Sequence, residues 1–345
     1  MINRAALTAL ALAIAASSAF AHPAPDHPVP QWVLFVQRPE APLVELSPLA
    51  AAFDAERAFH GLETQVGFGP RIPDTPGHLR ARRYIAREMM RAGFTVEESA
   101  VGPIRNDLLG HQDLIAYNII ARWNTDRPRR ILFSAHYDTR SISDMGETPE
   151  ERATPIPGAN DGGSGVAVLL EMARAISAHP PQNVGVIMVF HDLEDFGHPS
   201  GRGNPAVDPF MQWAQGAQLQ ALAWKPADAF EAGVNLDMVA GKDAVFLRER
   251  YSLEAQPALT QEFWDLGASI WGGVFPQDIQ GYVLDDHVPY LRSGQPLINV
   301  IDMAYPEWHA PRDLPEACSA QTLQIIGTTA LEFLFHRDGA APEKP

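Results

Sequence analysis

Cysteine is nearly absent from this chain, since Cys318 is the only one among 345 residues. A single cysteine has no intrachain partner, so a disulfide framework is excluded as a source of stability. No cysteine stands near the N-terminal apolar run either, so that region has no thiol to receive a lipid. We therefore expect the fold to depend on a hydrophobic core, which a hydrophobic content of 46% makes available.

Basic residues are scarce relative to acidic ones. The chain has 26 Lys and Arg against 42 Asp and Glu, which gives a formal net charge of −16 at pH 7. A surface of this sign repels phosphate backbones, and nucleic acid is therefore a poor candidate partner. The charged content of 20% is otherwise ordinary for a globular chain of this length.

Long apolar runs are missing as well. The run from Ala5 to Ala16 is shorter than the roughly 20 apolar residues that a membrane-spanning helix requires. It follows the basic Arg4 and precedes Ala19-Phe20-Ala21, which has the small-x-small pattern of a cleavage site. We predict a signal peptide over residues 1–21 and a periplasmic or secreted protein without a membrane span.

What the sequence does contain is an alternation of helix and strand patterns. The predicted helices are FDAERAFHGLETQVGF, PGHLRARRYIAREMMRAG, SGVAVLLEMARAISAH, QPALTQEFWDLGASI and SAQTLQIIGTTALEFLF. The predicted strands are FTVEES, DLIAYNIIARW, RRILFSAHYD, VGVIMVF, AGVNLDMVA and PLINVIDM. This order indicates an α/β fold with a central mixed, mostly parallel β-sheet and helices on both faces.

No internal repeat interrupts this pattern, and nothing inside it has the composition of a domain linker. We predict one catalytic domain over residues 51–337. A flexible Pro-rich leader over residues 22–50 would precede it, and a flexible tail over residues 338–345 would follow it.

Polar residues stand where the predicted strands end. RRILFSAHYD has His136 near its end, Glu194 and Asp195 follow VGVIMVF, and AGVNLDMVA carries Asp237. Open α/β sheets place their ligand sites at the carboxyl ends of strands, so we expect these side chains to meet. Further candidates in comparable positions are Asp161 in the turn GANDGGSG, Asp285 and His309.

These residue types are the ones that hold zinc. Zinc takes nitrogen and oxygen ligands, commonly three or four, with an open position where it is catalytic. Adjacent carboxylates such as Glu194 and Asp195 resist joint ionisation unless a cation holds them. Glu194 would then be the free carboxylate that moves protons. The candidate ligands, enough for one ion or two, are His136, Asp161, Asp195, Asp237 and His309.

Each of these residues also has an ordinary structural explanation. A carboxylate before a helix is usually an N-cap, which fits Asp161 about as well as metal ligation does. A histidine at a strand end is more often hydrogen-bonded structure than a ligand, and Glu194 and Asp195 alone fit a solvated turn. Five such positions at strand ends together favour a metal site more strongly than any one of them does.

The order of these motifs resembles the zinc-exopeptidase superfamily, which includes bacterial aminopeptidases and the animal-type glutaminyl cyclases. In that superfamily a His, a bridging Asp, a Glu-Glu or Glu-Asp pair, an Asp and a late His line the site. Here the corresponding residues are His136, Asp161, Glu194-Asp195, Asp237 and His309, and the similarity covers nearly all of the chain after the leader.

The segment DDHVPYLRSGQPLINVIDMAYPEWHAPRD is similar to the signature of the bacterial glutaminyl cyclases, an Asp-Asp-His-x-Pro-aromatic-Leu turn followed by Pro-Glu and Trp-His. That resemblance implies an enzyme that converts the N-terminal Gln of peptides to pyroglutamate and releases ammonia. It implies Glu194 as proton shuttle, Asp237 and Asp285 as its catalytic neighbours, and Trp308 as a wall of the substrate pocket. Trp213 is a weaker match for a second wall. The implied ligands of a single zinc ion are Asp161, Asp195 and His309.

Two features leave the number of metal ions open. The acidic pair is Glu-Asp rather than the Glu-Glu of the animal cyclases, and GANDGGSG is closer to the aminopeptidase turn. The alternative is a dinuclear zinc aminopeptidase in which His136 and Asp237 hold a second ion and Asp161 bridges the two. A third hypothesis is a binding protein that keeps the fold and has lost the catalytic activity. Loss of activity in this way usually removes a metal ligand or the proton shuttle, and here none of these residues is missing.

Residues 141–157 form a long polar stretch. It is long enough to be a lid over the site, and it equally suits a surface segment without a function.

Overall fold

A computed structural model of the chain describes residue 36 and residues 38–197 and 212–340. The predicted signal peptide and most of the predicted leader lie outside these ranges. Within them, no helix combines the length and the apolar character that are needed to cross a bilayer.

Six strands in the described ranges form one sheet, in the order β1-β2-β4-β3-β5-β6. They are β1 Thr95–Asn106, β2 His111–Trp123, β3 Arg129–His136, β4 Val184–His191, β5 Ala232–Asp237 and β6 Leu297–Ile301. β2 is antiparallel to both of its neighbours, whereas β4, β3, β5 and β6 run parallel. This confirms the mixed sheet, and it brings the carboxyl ends of four strands to one edge.

The described ranges also contain ten α-helices. They are α1 Pro48–Ala51, α2 Ala55–Val66, α3 Pro76–Arg91, α4 Pro149–Arg152, α5 Ser164–Ala178, α6 Gln215–Ala223, α7 Arg250–Ala255, α8 Pro257–Trp271, α9 His287–Arg292 and α10 Ala320–Gly339. The five helices predicted from periodicity correspond to α2, α3, α5, α8 and α10. The other helices have nine residues or fewer, which is too short for a clear helical period in the sequence.

Both faces of the sheet are packed. Along β3, Phe133 points into the larger hydrophobic cluster, which contains residues of α2, α5, α8 and α10. Its neighbour Leu132 points into a smaller cluster with Ala217 of α6 and Tyr290 of α9. Because side chains alternate along a strand, a strand buried on both faces reads as a continuous apolar run. All eight residues of β4 are buried accordingly.

Local signals explain the ends of α3. The Thr75 side chain accepts a hydrogen bond from the backbone N–H of His78, and Pro76 occupies the first turn. After the helix, Gly93 has φ +87°, a left-handed conformation that glycine adopts without steric cost. The predicted start at Pro76 and stop at Gly93 are therefore confirmed.

The packed region starts before residue 51 and ends after residue 337. The Leu43 N–H donates to the carbonyl of Ile270, and Leu49 is buried in the larger cluster. At the other end, the Asp338 carboxylate accepts hydrogen bonds from the backbone N–H groups of Gln182 and Asn183. Hydrogen bonds between segments distant in the sequence hold both ends, and composition does not reveal such contacts.

Candidate metal centre

Two adjacent parallel strands bring the first part of the site together. β3 pairs with β5, so their last residues, His136 and Asp237, stand side by side at the carboxyl edge. His136 Nε2 lies 3.1 Å from Asp237 Oδ1 and 3.2 Å from Asp161 Oδ1. All three side chains are buried. We call this set the inner triad.

A second set forms around the late histidine. His309 Nε2 lies 3.1 Å from Asp195 Oδ1 and 3.7 Å from Asp161 Oδ2. We call Asp161, Asp195 and His309 the outer triad. In each triad one donor atom per residue lies within 4.8 Å of the others, and Asp161 belongs to both. The fold thus gathers all five candidate ligands of the sequence analysis.

The outer triad has the polar atoms that a cation would satisfy. Asp161 Oδ2 and Asp195 Oδ2 are buried and accept no hydrogen bond from any described residue. A buried carboxylate oxygen without a partner is costly, because it has lost its hydration without gaining another contact. Carboxylate oxygen and imidazole nitrogen are ligands that zinc accepts. The donor set therefore fits a zinc ion.

The loop before α5 fixes Asp161 from its backbone side. Asp313 accepts hydrogen bonds from the N–H groups of Asn160, at 2.8 Å, and of Asp161, at 3.1 Å. The N-cap position of α5 is occupied by Gly163, and no side chain caps the helix. The N-cap explanation of Asp161 is therefore wrong, because the N-cap residue is Gly163, two residues further along the chain.

A tight turn after β4 presents the acidic pair. Asp138 accepts hydrogen bonds from the N–H groups of Glu194, at 3.2 Å, and Asp195, at 3.1 Å. Leu193, before them, has φ +58°, an uncommon conformation for a branched side chain. Glu194 is 5% exposed and Asp195 is 1% exposed. This rules out the solvated turn, since both carboxylates are inside the protein.

Burial governs the protonation of Glu194 and Asp285. Burial raises the pKa of Glu194 well above its usual value, the charges of Asp285 and Asp195 add to this, and His136 opposes it. Burial, followed by the charge of Asp237, raises the pKa of Asp285 to about 7. The Asp285 carboxylate accepts hydrogen bonds from the amides of Asn235 and Asn299. With a pKa of about 7, Asp285 can exchange protons near neutral pH, and the raised pKa of Glu194 favours the protonated form of that carboxyl group.

Two indole rings flank His309. The Trp213 ring is nearly parallel to the imidazole, with 6.1 Å between centroids and an interplanar angle of 11°. The Trp308 ring is tilted by 34°, with 4.2 Å between centroids. Both Trp residues are half-buried. The two predicted aromatic walls therefore stand next to a candidate ligand.

Sequence reasoning assigned no role to several residues that support the site. Asp138 and Asp313 hold the two ligand-bearing turns, and Arg140 and Asp144 contact the outer triad. Asp138 ends the predicted strand RRILFSAHYD and Arg140 follows it closely, which is a detectable signal, whereas nothing local marks Asp313. Three further histidines form buried pairs with carboxylates: His78 with Asp192, His191 with Asp286 and His287 with Glu249.

Comparison with known proteins identifies the family of this fold. Peptidase family M28 matches residues 118–334. The chain belongs to this family. A glutaminyl-peptide cyclotransferase from Boiga dendrophila is 25% identical over 307 residues, which cover 76% of this chain and 77% of the relative.

Solved structures agree with this family. A Zn-dependent exopeptidase from Parabacteroides distasonis is 33% identical, with a TM-score of 0.76 over 83% of this chain and 99% of its own. A glutaminyl cyclase from Bacteroides thetaiotaomicron, bound to N-acetylhistamine, is 31% identical, with a TM-score of 0.74 over 84% of this chain and 98% of its own. The predicted resemblance to bacterial glutaminyl cyclases and zinc exopeptidases is confirmed.

Proposed function

We propose that this M28 family member is a zinc-dependent glutaminyl-peptide cyclotransferase, which converts the N-terminal Gln of peptides to pyroglutamate and releases ammonia. One observation carries the proposal. The buried Glu194 directly precedes Asp195 of a candidate ligand triad in which two carboxylate oxygens have no hydrogen-bond partner among the described residues, in a fold shared with glutaminyl cyclases.

A single metal ion at the outer triad suits the hydrogen bonding. Zinc there would supply a Lewis acid that polarises the γ-carbonyl of the substrate. The inner triad needs an ion less, because His136 Nε2 lies within hydrogen-bond distance of both Asp161 and Asp237. These contacts support one zinc ion per chain, held by Asp161, Asp195 and His309.

Glu194 is the residue to move the proton. In the reaction the α-amine nitrogen bonds to the γ-carbonyl carbon, and the bond from that carbon to the amide nitrogen breaks. The α-amine reacts in its neutral form, and Glu194 would take one proton from its nitrogen as the ring closes and deliver that proton to the departing amide nitrogen, which leaves as ammonia. Its raised pKa suits this task, because a strongly acidic carboxyl group would not hold the proton between the two steps.

Asp285 and the two indoles would position the substrate. Asp285 is held by two amides, so its carboxylate is fixed for a hydrogen bond with the departing nitrogen. Trp308 and Trp213 both lie next to a candidate ligand, His309, where their faces would keep the Gln side chain folded against its own amine. Ring closure is intramolecular, so restricting the substrate in this way accelerates it.

Two activities measured side by side test the proposal. One assay follows ammonia released from a Gln-initiated dipeptide, and the other follows free amino acid released from a Leu-initiated dipeptide. Both are run with and without a chelator. We expect chelator-sensitive ammonia release without amino acid release, and the reverse pattern would reject the cyclase.

The second candidate is a dinuclear zinc aminopeptidase. The observation in its favour is that the inner triad also brings three donor atoms within 4.8 Å, so Asp161 could bridge two ions. The family is one of peptidases, and an exopeptidase is among its solved relatives. About two zinc ions per chain together with amino acid release would decide for this activity.

We also propose export to the periplasm or beyond the cell, because residues 1–21 have the basic start, the apolar run and the small-x-small end of a cleaved signal peptide. N-terminal sequencing of the protein recovered outside the cytoplasm would then begin at His22. A product that still begins at Met1 would contradict export by a cleaved signal.

A further inference from the structure

One end of the segment 141–157 is fastened to the outer triad. Asp144 Oδ1 lies 3.0 Å from His309 Nδ1, on the side of the imidazole away from Asp161 and Asp195. The next residue, Met145, donates its N–H to the carbonyl of His309 at 3.2 Å. This end of the segment therefore contacts a ligand through both a side chain and the backbone.

Arg140 connects this contact to the second ligand. Its guanidinium donates to both carboxylate oxygens of Asp144, at 2.7 Å and 3.2 Å. It also donates to Asp195, at 2.9 Å to the carbonyl and 3.3 Å to Oδ1. The Arg140 side chain is fully buried, and its guanidinium carbon lies 4.9 Å from the centre of the Trp213 ring. One planar cation thus holds Asp144, Asp195 and an aromatic wall.

We propose that Asp144 and Arg140 are positioning residues for the metal centre. Asp144 accepts a hydrogen bond from His309 Nδ1–H, which leaves the Nε2 lone pair facing Asp161 and Asp195. Arg140 fixes the carboxylate of Asp144 and the ligand Asp195 relative to each other. The inference rests on the proposed function in one respect, since it takes the outer triad as the zinc site.

The chemistry of zinc-binding histidines supports these roles. An imidazole that binds a metal through one nitrogen needs the proton on the other, and a carboxylate acceptor there fixes both the tautomer and the ring orientation. A bidentate Arg–carboxylate contact holds that acceptor more rigidly than a single hydrogen bond would. These contacts engage the carbonyl and Oδ1 of Asp195, while Asp195 Oδ2 accepts no hydrogen bond from residues 38–197 and 212–340 and is available to the ion.

Zinc affinity tests the proposal directly. Metal-free protein is titrated with zinc in competition with a chromogenic chelator, for the wild type, Asp144→Ala and Asp144→Asn. We expect about 10- to 100-fold weaker binding for Asp144→Ala, the usual effect of removing such a partner. Asp144→Asn keeps an acceptor oxygen and should recover part of the loss. Glu150→Gln, an exposed carboxylate in the same segment, is the matched control and should bind zinc like the wild type.

A purely structural role would give a different pattern. It would lower the melting temperature of the metal-free protein and leave zinc affinity unchanged, whereas a positioning role changes the affinity and the extra stability that zinc confers. Arg140→Gln, alone and combined with Asp144→Ala, should show non-additive losses of affinity, because both act on one contact.

The outcomes separate this inference from the proposed function. Equal zinc affinity in Asp144→Ala and the wild type would overturn the positioning role and leave the cyclase intact. A wild type that binds zinc tightly, is weakened by Asp144→Ala and yet releases no ammonia would support the positioning role while rejecting the cyclase.

Discussion

The inner and outer triads use the same kinds of side chain and share Asp161, yet their polar atoms are satisfied in different ways. In the inner triad, one imidazole nitrogen lies between two carboxylates, at 3.1 Å and 3.2 Å. In the outer triad, two buried carboxylate oxygens, Asp161 Oδ2 and Asp195 Oδ2, accept no hydrogen bond from the part of the chain that the structure describes. The two facing oxygens of the inner triad, Asp161 Oδ1 and Asp237 Oδ1, both lie within hydrogen-bond distance of His136 Nε2, whereas the unpaired oxygen of Asp195 belongs to the outer triad alone. A buried carboxylate oxygen without a hydrogen bond gains the most from a bound cation.

The residues that surround the two triads also differ. Arg140 and Asp144 support the outer triad from behind, and two indoles flank its histidine. In the inner triad, His136 and Asp237 are the last residues of β3 and β5, so the sheet supports them. Rigid strands thus place two of the inner residues, while turns and loops place Asp161, Asp195 and His309.

Removing the histidine of each triad in turn should reveal the largest difference in zinc binding between the two triads. We expect His309→Ala to lose more than about 100-fold in zinc affinity, since losing a ligand exceeds the effect of losing a ligand's partner. His136→Ala should keep one zinc ion per chain. Elemental analysis after dialysis measures both variants. Equal losses, or two ions in the wild type, would mean that both triads bind metal.

Glu194→Gln should separate zinc binding from turnover. The amide cannot exchange a proton, so ammonia release should fall by about 10²- to 10⁴-fold. Zinc content should stay that of the wild type, because Glu194 belongs to neither triad. Glu56→Gln, an exposed change at the start of α2, provides the control for loss of a carboxylate. Full activity in Glu194→Gln would remove this residue from the mechanism.

Asp285→Asn should have a smaller effect. A hydrogen bond to a charged group contributes about 1.5–3 kcal/mol, so turnover should fall by about 10- to 100-fold. The Michaelis constant for a Gln-initiated dipeptide should change less than kcat, because the contact serves the departing nitrogen. Asp278→Asn, on the exposed surface, is the control. A change confined to the Michaelis constant would assign Asp285 to substrate binding instead.

The pair His78–Asp192, at 2.8 Å, shows what a buried histidine and carboxylate do when they need no ion. Burial alone would lower the pKa of His78, but Asp192 raises it above its usual value. Burial would raise the pKa of Asp192, and His78 lowers it. The stabilisation should be complete between about pH 4 and pH 6.5, the unfolded pKa values of the two groups. It is lost as the pH rises through the raised pKa of His78 or falls through the lowered pKa of Asp192.

His78→Gln should therefore lower the free energy of unfolding by about 2 kcal/mol near pH 5.5. The difference from the wild type should shrink as the pH rises above the raised pKa of His78. Urea unfolding across this range measures it, with exposed His60→Gln as control. A difference that does not change with pH would show that His78 stabilises the fold by packing alone.

Periodicity in the sequence predicted the sheet and the five longer helices, because each buries a continuous stripe or run of apolar residues. It missed α9, His287–Arg292, which has six residues and lies inside the motif DDHVPYL. It also placed the start of the domain too late, at residue 51, because Leu43 and Leu49 are held by partners more than a hundred residues away.

The candidate ligands were also predicted from the sequence, since strands that run parallel carry their final residues to one edge. The sequence did not decide whether each of these residues is a metal ligand or has only a structural role. Asp161 fits an N-cap and a ligand equally well until the cap is seen to be Gly163. Arg140 and Asp144 are ordinary charged residues in the sequence, and only their contacts with Asp195 and His309 give them a role.

The sequence by itself determined the α/β pattern, the acidic character and the set of five ligand-type residues, because these follow from composition and short-range order. Only the tertiary structure decided that Asp161 lies within reach of both triads, that His136 Nε2 faces two carboxylates and that Asp161 Oδ2 and Asp195 Oδ2 accept no hydrogen bond from the described residues. The physical reason is that hydrogen bonding between buried groups depends on distances of a few tenths of an ångström between segments far apart in the chain.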